Sequence, residues 1–133
     1  MKKVESEVLA YLQERGWDTL RPSDIAKSIS IEAAELLEVF QWTNMTIEET
    51  KADEKVMSEL KKELADVFIY ALDMVVLLGL DTEEIIMEKL NKVRSKYPAE
   101  LMRKGVKSST GSSVDTDYWR IKHKHRKSGG PRK

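Results

Sequence analysis

The chain has 133 residues, 41% of them hydrophobic and 35% charged, which suits one soluble domain of amphipathic helices. It contains no cysteine, so a disulfide framework and a thiolate metal site are both excluded. Lysine plus arginine match aspartate plus glutamate at 23 each, but the end, 119-WRIKHKHRKSGGPRK-133, carries Arg120, Lys122, Lys124, Arg126, Lys127, Arg132 and Lys133 and no acid, so the rest of the chain is acidic.

Four helical segments are expected from apolar periodicity and end signals. The first covers about residues 3–15 and stops at Gly16, a natural C-terminal cap. The second opens at Pro22, a favoured first-turn residue, and runs to about Trp42. The third runs from about Asp53 to Leu78 and ends at Gly79. The fourth opens with 81-DTEE-84, where Asp81 and Glu84 suit a capping box, and ends near Tyr97 because Pro98 cannot continue it. Beyond it, 105-GVKSSTGSSVDTD-117 has loop composition. The expected organisation is an all-α, four-helix bundle over 1–104, followed by a loop and an irregular basic C-terminal tail over 105–133. Such a tail reads as a solvated, poorly ordered end, and its His123 and His125 as part of that end rather than as metal ligands.

No membrane role is expected. The longest apolar run, 74-MVVLLGL-80, is far too short to span a bilayer, and acids interrupt the apolar part of the N-terminal MKKVESEVLAYL. A cytoplasmic protein is expected.

The second segment holds an anomaly. In 31-IEAAELLEVFQW-42, Glu32, Glu35 and Glu38 recur every third residue. On a helical wheel with Glu32 at zero, Ile25, Ile29, Leu36 and Val39 fall at roughly 20°, 60°, 40° and 340°, so Glu32 sits in the middle of the apolar face. Glu35 and Trp42 lie on its flank. The third segment repeats the pattern: Leu60, Leu64, Val67, Ala71, Val75 and Leu78 form a stripe, flanked by Glu59, Glu63, Asp66, Tyr70 and Asp73. Thus 32-EAAE-35 and 63-ELAD-66 are two carboxylate pairs at surfaces that must pack. Burying unpaired carboxylates costs several kcal/mol, and nearby like charge adds to it. A basic partner, a proton or a cation must compensate, and no Lys or Arg occupies either apolar stripe. Four converging carboxylates make a hard-cation site suited to Mg²⁺, with Mn²⁺ a possible substitute.

These residues resemble a known family. The order E-x-x-E, spacer, E-x-x-D is similar to the MazG-like all-α nucleoside triphosphate pyrophosphohydrolases, above all their dCTP pyrophosphatase-like branch. The blocks 28-SISIEAAELLEVFQW-42, 62-KELADVFIYALDM-74, 89-KLNKVRSKYP-98 and 17-WDTLRPSDIA-26 carry the resemblance, which covers about residues 4–105. The chain departs from the branch at Arg21, where His is frequent, and at Val93, where Asn is frequent. The resemblance implies Mg²⁺-dependent hydrolysis of a (deoxy)nucleoside triphosphate to the monophosphate and pyrophosphate, in nucleotide-pool housecleaning, with a dCTP-like substrate favoured. It implies Glu32, Glu35, Glu63 and Asp66 as metal ligands, with Glu38 or Glu35 orienting the attacking water. Trp17, Trp42 and Tyr70 are the candidates for stacking on the base. Phe40 and Phe68 are better explained as packing. Lys89, Arg94 and Lys96 crowd the end of the fourth segment as candidate phosphate contacts, with Tyr97 beside them. A homo-oligomer, a dimer or a tetramer built as a dimer of dimers, is expected because four helices with a half-open acidic face make a poor self-sufficient core.

Two rival readings differ in kind. A carboxylate-bridged di-iron bundle needs Glu-x-x-His on two helices, which this sequence lacks. A non-enzymatic helical interaction module with a nucleic-acid-binding basic tail predicts salt-sensitive binding and no turnover. Nucleic acid is the less favoured partner.

Overall fold

The computed structural model describes residues 1–107 and 116–128, with side chains over 1–103 and 120–126. The elements are α1 (Lys2–Glu14), α2 (Pro22–Glu38), α3 (Ile47–Ala52), α4 (Glu54–Leu77), α5 (Thr82–Lys96), α6 (Ala99–Lys107) and α7 (Thr116–Ser128). Among the described residues there is no strand, as expected for an all-α chain. The chain forms two compact units, Met1–Thr82 and Glu83–Lys133.

The first unit is organised around α4, on which α2, α1 and the short α3 pack. Local chemistry fixes where each rod begins and ends. Gly16 and Gly79 adopt φ of 66° and 64°, a left-handed conformation that glycine reaches without a Cβ penalty. At the first, Trp17 N–H donates to the Leu12 carbonyl (2.9 Å) and Gly16 N–H to that of Gln13 (3.1 Å). At the second, Leu80 N–H donates to Val75 (3.0 Å) and Gly79 N–H to Val76 (3.3 Å). Both are Schellman closures, which satisfy carbonyls that a helix end otherwise orphans. Asp53 caps α4, accepting from Val56 N–H at 3.0 Å. The Thr82 hydroxyl donates to the Glu5 carboxylate and ties the end of this unit to α1.

The buried apolar side chains among the described residues are Val8, Leu12, Ile25, Leu72 and Val75, with Val8, Leu12 and Leu72 forming one cluster between α1 and α4. Each contributes about 1.5–3 kcal/mol on burial. Large apolar groups stay in solvent: Leu37, Trp42, Ile47 and Phe68 are 67%, 88%, 67% and 58% exposed. Phe68 therefore is not a packing residue within this unit, contrary to its expected role. Leu78, at the end of the expected stripe, is exposed as well.

Helix limits differ from expectation in three places. First, α2 stops at Glu38 rather than Trp42. The chain tightens there into three-residue turns, Phe40 N–H to Leu37 (3.0 Å) and Thr43 N–H to Phe40 (3.1 Å), without a glycine or proline to announce it. Second, the interval before α4 contains α3, opened by a capping box. Glu49 N–H donates to Thr46 Oγ1 at 3.2 Å, and Thr46 N–H donates to Glu49 Oε2 at 2.7 Å. These bonds hold the Glu49 carboxyl below its usual range.

Third, in the second unit, Pro98 ends α5 but also precedes α6, as Met102 N–H donates to the Pro98 carbonyl at 3.2 Å. Residues 105–107 are thus helical instead of loop. The basic segment expected as an irregular tail is α7 over Thr116–Ser128, and it packs with α6. Its sequence is free of Gly and Pro up to Ser128, and cations near its C-terminus complement the helix dipole. The rest of the expected loop and tail, 108–115 and 129–133, lies outside the described residues. No helix of the described residues is long and apolar enough to cross a membrane.

Candidate metal centre

Glu32 on α2 and Glu63 and Asp66 on α4 converge, each offering a carboxylate oxygen within 4.8 Å of the others. The i, i+3 spacing puts Glu63 and Asp66 on one face of α4, and α2 brings Glu32 against it. Glu63 is 9% exposed and Glu32 and Asp66 are half-buried. Glu63 Oε1 accepts from Lys62 Nζ at 2.8 Å, while its buried Oε2 has no hydrogen-bond partner among the described groups. No Lys or Arg lies in either apolar stripe, as read, yet Lys62 attends Glu63 from outside it. Its flexible stem reaches round from an exposed helix position (71% exposed side chain), so absence from the apolar stripe did not exclude it.

One lysine does not neutralise the site. The Glu32 carboxyl is raised above its usual range by burial first, then by the charges of Glu35, Asp66 and Glu63, with Lys62 opposing. Lys62 in turn is raised by its bond to Glu63 and by the surrounding acids. Three carboxylates, one of them Glu63 with a buried unpartnered oxygen, are oxygen donors of the kind a hard divalent cation takes, and one exposed lysine is their only ion-pair partner among the described residues. The chemistry of these residues fits Mg²⁺ or Mn²⁺.

The fourth expected ligand, Glu35, is not in the converging group; it is exposed. With Glu38, Gln41 and Glu59 it lines a small acidic cavity of about 290 Å³ that Glu63 also lines. Asp66 lines a separate, larger cavity of about 820 Å³. Trp17 and Tyr70 line that larger cavity, as does Tyr11, whose ring meets Trp17 edge-on at 5.8 Å between centroids. Arg15 sits over the Tyr11 ring at 3.9 Å and braces it. The Tyr70 hydroxyl is raised by burial, then by the charges of Glu32, Asp73 and Asp66, and stays neutral. So the acids stand between an aromatic cavity on one side and an acidic one on the other.

Trp42 is not brought to the aromatic cavity. It follows the end of α2 and is almost fully exposed. Lys89, Arg94, Lys96 and Tyr97 lie in the second unit, with Lys96 5.2 Å from the Tyr97 ring. His123 and His125 lie on α7, where i, i+2 spacing turns them about 200° apart, so they do not chelate one ion.

Sequence reasoning gave no site role to Tyr11, Lys62 or Asp73, although it placed Asp73 on the flank of the third segment. Asp73 had a usable signal, since 63, 66, 70 and 73 continue one helical face. Tyr11 had none, because only tertiary packing brings α1 over that face.

Residues 27–109 match the model of the MazG-like family, more than half of the chain. The chain belongs to the MazG-like family. This MazG-like chain is 30% identical over 105 residues to dCTP pyrophosphatase 1 of Mus musculus, an alignment covering 77% of this chain and 60% of that protein. Against dCTP pyrophosphatase 1 of Homo sapiens, identity is 28% over 112 residues, covering 83% and 64% respectively. The chain thus spans less than two thirds of the length of these curated relatives. Its fold is similar to the crystal structure of a pyrophosphatase from Archaeoglobus fulgidus, with a TM-score of 0.65, 37% identity, and coverage of 74% of this chain and 92% of that one.

Proposed function

We propose that this MazG-like chain is a divalent-metal-dependent nucleoside triphosphate pyrophosphohydrolase, cleaving a (deoxy)nucleoside triphosphate to the monophosphate and pyrophosphate, with dCTP-like substrates favoured. The convergence of Glu32, Glu63 and Asp66 around the orphaned Glu63 oxygen carries the reading. These three residues would hold the ion, Mg²⁺ by preference. A divalent cation there supplies neutralisation of phosphate charge and a more acidic bound water.

The chain's own residues do the rest. Glu35 and Glu38, in the acidic cavity beside Glu63, are placed to orient the attacking water and take its proton; Glu35 also remains a candidate fourth ligand. Trp17 and Tyr70 wall the cavity on the Asp66 side and offer faces to a base. Phosphoryl transfer asks mainly for positioning and charge stabilisation, which this arrangement provides. Trp42, Lys89, Arg94, Lys96 and Tyr97 stay as proposed substrate contacts on the strength of the sequence pattern alone.

A homo-oligomer, dimer or tetramer, is part of the same reading. The small buried core and the exposed Leu37, Trp42, Ile47 and Phe68 support it. We place the protein in the cytoplasm on composition.

The test is a panel of ribo- and deoxynucleoside triphosphates with Mg²⁺ or Mn²⁺ and identification of the products. The reading expects monophosphate and pyrophosphate in equal amounts, abolished by EDTA. Diphosphate and orthophosphate as products, or no turnover of any nucleotide, would refute it. The second outcome, joined to salt-sensitive nucleic-acid binding, would favour a helical interaction module.

A further inference from the structure

Asp73 is 4% exposed, and its Oδ1 has no hydrogen-bond partner among the described groups. No lysine or arginine is paired with it in any ion pair of the described residues. Stability alone does not explain it, since an apolar residue of similar volume would avoid the desolvation of a carboxyl. It lies two helical turns beyond Asp66 on the same face of α4, and it lines the larger cavity with Tyr11, Trp17, Ser28 and Tyr70. Three other polar residues there are differently placed. Ser28 Oγ donates to the Asp24 carbonyl at 3.2 Å, Glu7 is exposed, and Asp66 belongs to the metal group. The cavity therefore has aromatic walls, the candidate metal ligand Asp66 in its lining, and a buried carboxyl without an ion-pair partner, Asp73, in its wall.

We propose that Asp73 determines base specificity: its carboxylate, in the wall of this cavity, accepts a hydrogen bond from an exocyclic amine, so the substrates are nucleotides whose base carries an amino group where its counterpart carries a keto oxygen. The inference rests on the nucleotide reading above and adds to it a residue and a substrate class. The chemistry is one of donor and acceptor matching. The cytosine 4-amine, or the adenine 6-amine, donates an N–H to the Asp73 carboxylate. In uracil or hypoxanthine a carbonyl stands at that place, lone pair faces lone pair, and two buried acceptors remain unsatisfied. A site built to hydrogen-bond a substrate N–H rejects an analogue lacking it far more strongly than an apolar pocket rejects a methylene.

The experiment compares kcat/KM for dCTP against dUTP, and dATP against dITP, in wild type, Asp73→Asn and Asp73→Leu. Binding of dCMP and dUMP to the same proteins is measured by calorimetry, which needs no turnover. Wild type is expected to favour the amino member of at least one pair by at least about tenfold. Asn presents an amide N–H to the keto base, so the ratio should fall by about tenfold or invert, and Leu should abolish it. The monophosphates should follow the same order. Turnover with an amino-to-keto ratio unchanged by both variants would overturn the role of Asp73 while leaving the pyrophosphohydrolase reading intact. Selective, Asp73-dependent binding of dCMP without hydrolysis of any triphosphate would do the reverse. Neither selective binding nor turnover would overturn both.

Discussion

Replacing Glu63 by Gln preserves shape and removes one charge, so it separates the stability of the site from its chemistry. In the ion-free protein the substitution gives up the bond to Lys62 at 2.8 Å. The lysine side chain is 71% exposed, so solvent screens that pair and its loss costs little. Against this, repulsion between Glu63 and Asp66 disappears. Their oxygens lie within 4.8 Å, and Coulomb's law at an effective dielectric of ~20 sets it near 3 kcal/mol before screening. The variant should therefore be no less stable than wild type in EDTA, and up to ~2 kcal/mol more stable, several degrees in Tm for a domain of this size. With metal the order reverses. Wild type gains by linkage, about 2.7 kcal/mol at Mg²⁺ one hundred times its Kd, whereas the variant lacks a charged ligand and gains little. Its kcat/KM should drop by roughly 10²–10³, as when one preorganised electrostatic contact is lost. Calorimetric melts in EDTA and in saturating Mg²⁺, beside a pyrophosphate-release assay, read all three effects. A variant that melts lower in EDTA, or that keeps both the Mg²⁺ shift and the activity, would refute the reasoning.

Asp73 yields a pH signature. Burial raises its carboxyl above the ordinary value of 3.8, so the native state binds the proton more tightly than the unfolded one. Below the ordinary value both states are protonated and the group contributes nothing; between the ordinary and the raised native value only the unfolded state gives up its proton, so stability falls across that interval and levels off once the native state has buried the charge. The stability difference between Asp73→Asn and wild type, from urea melts, should move in the variant's favour from about pH 4 upward; a flat difference would contradict it. Gly79→Ala should cost about 1 kcal/mol in thermal unfolding, because φ of 64° strains any residue with a Cβ although the space around it is open. Thr46→Ala should remove the capping box of α3, at about 1 kcal/mol, with faster amide exchange over residues 47–52 as its readout. Light scattering should give a mass of twice or four times the 15.3 kDa chain, and a monomer at working concentration would count against self-association.

The first unit was largely legible in the sequence. Gly16, Pro22, Asp53 and Gly79 mark helix ends by their own backbone chemistry, and the structure uses each as read. The convergence of Glu32, Glu63 and Asp66 was legible because a carboxylate in an apolar stripe demands a partner wherever it is found. Glu35 shows the limit of the wheel: α2 carries it to the flank, and the flank here opens to solvent. Trp42 was misplaced relative to α2 because 39-VFQW-42 contains no breaker, and the shift to three-residue turns is decided by how the chain must reach α3. Lys62 escaped because periodicity places Cα atoms, while a four-carbon stem moves its charge several ångströms. The basic end was read by charge alone, and a charge run that folds as a helix looks the same as one that does not.

The most direct measurement is a crystal structure of the protein with Mn²⁺ and a non-hydrolysable dCTP analogue, using the anomalous signal to locate metal. The account predicts an anomalous peak bonded to Glu32, Glu63 and Asp66 and to phosphate oxygens, with the base between Trp17 and Tyr70. A nucleotide bound elsewhere, or these three carboxylates turned to solvent with no metal peak among them, would contradict it.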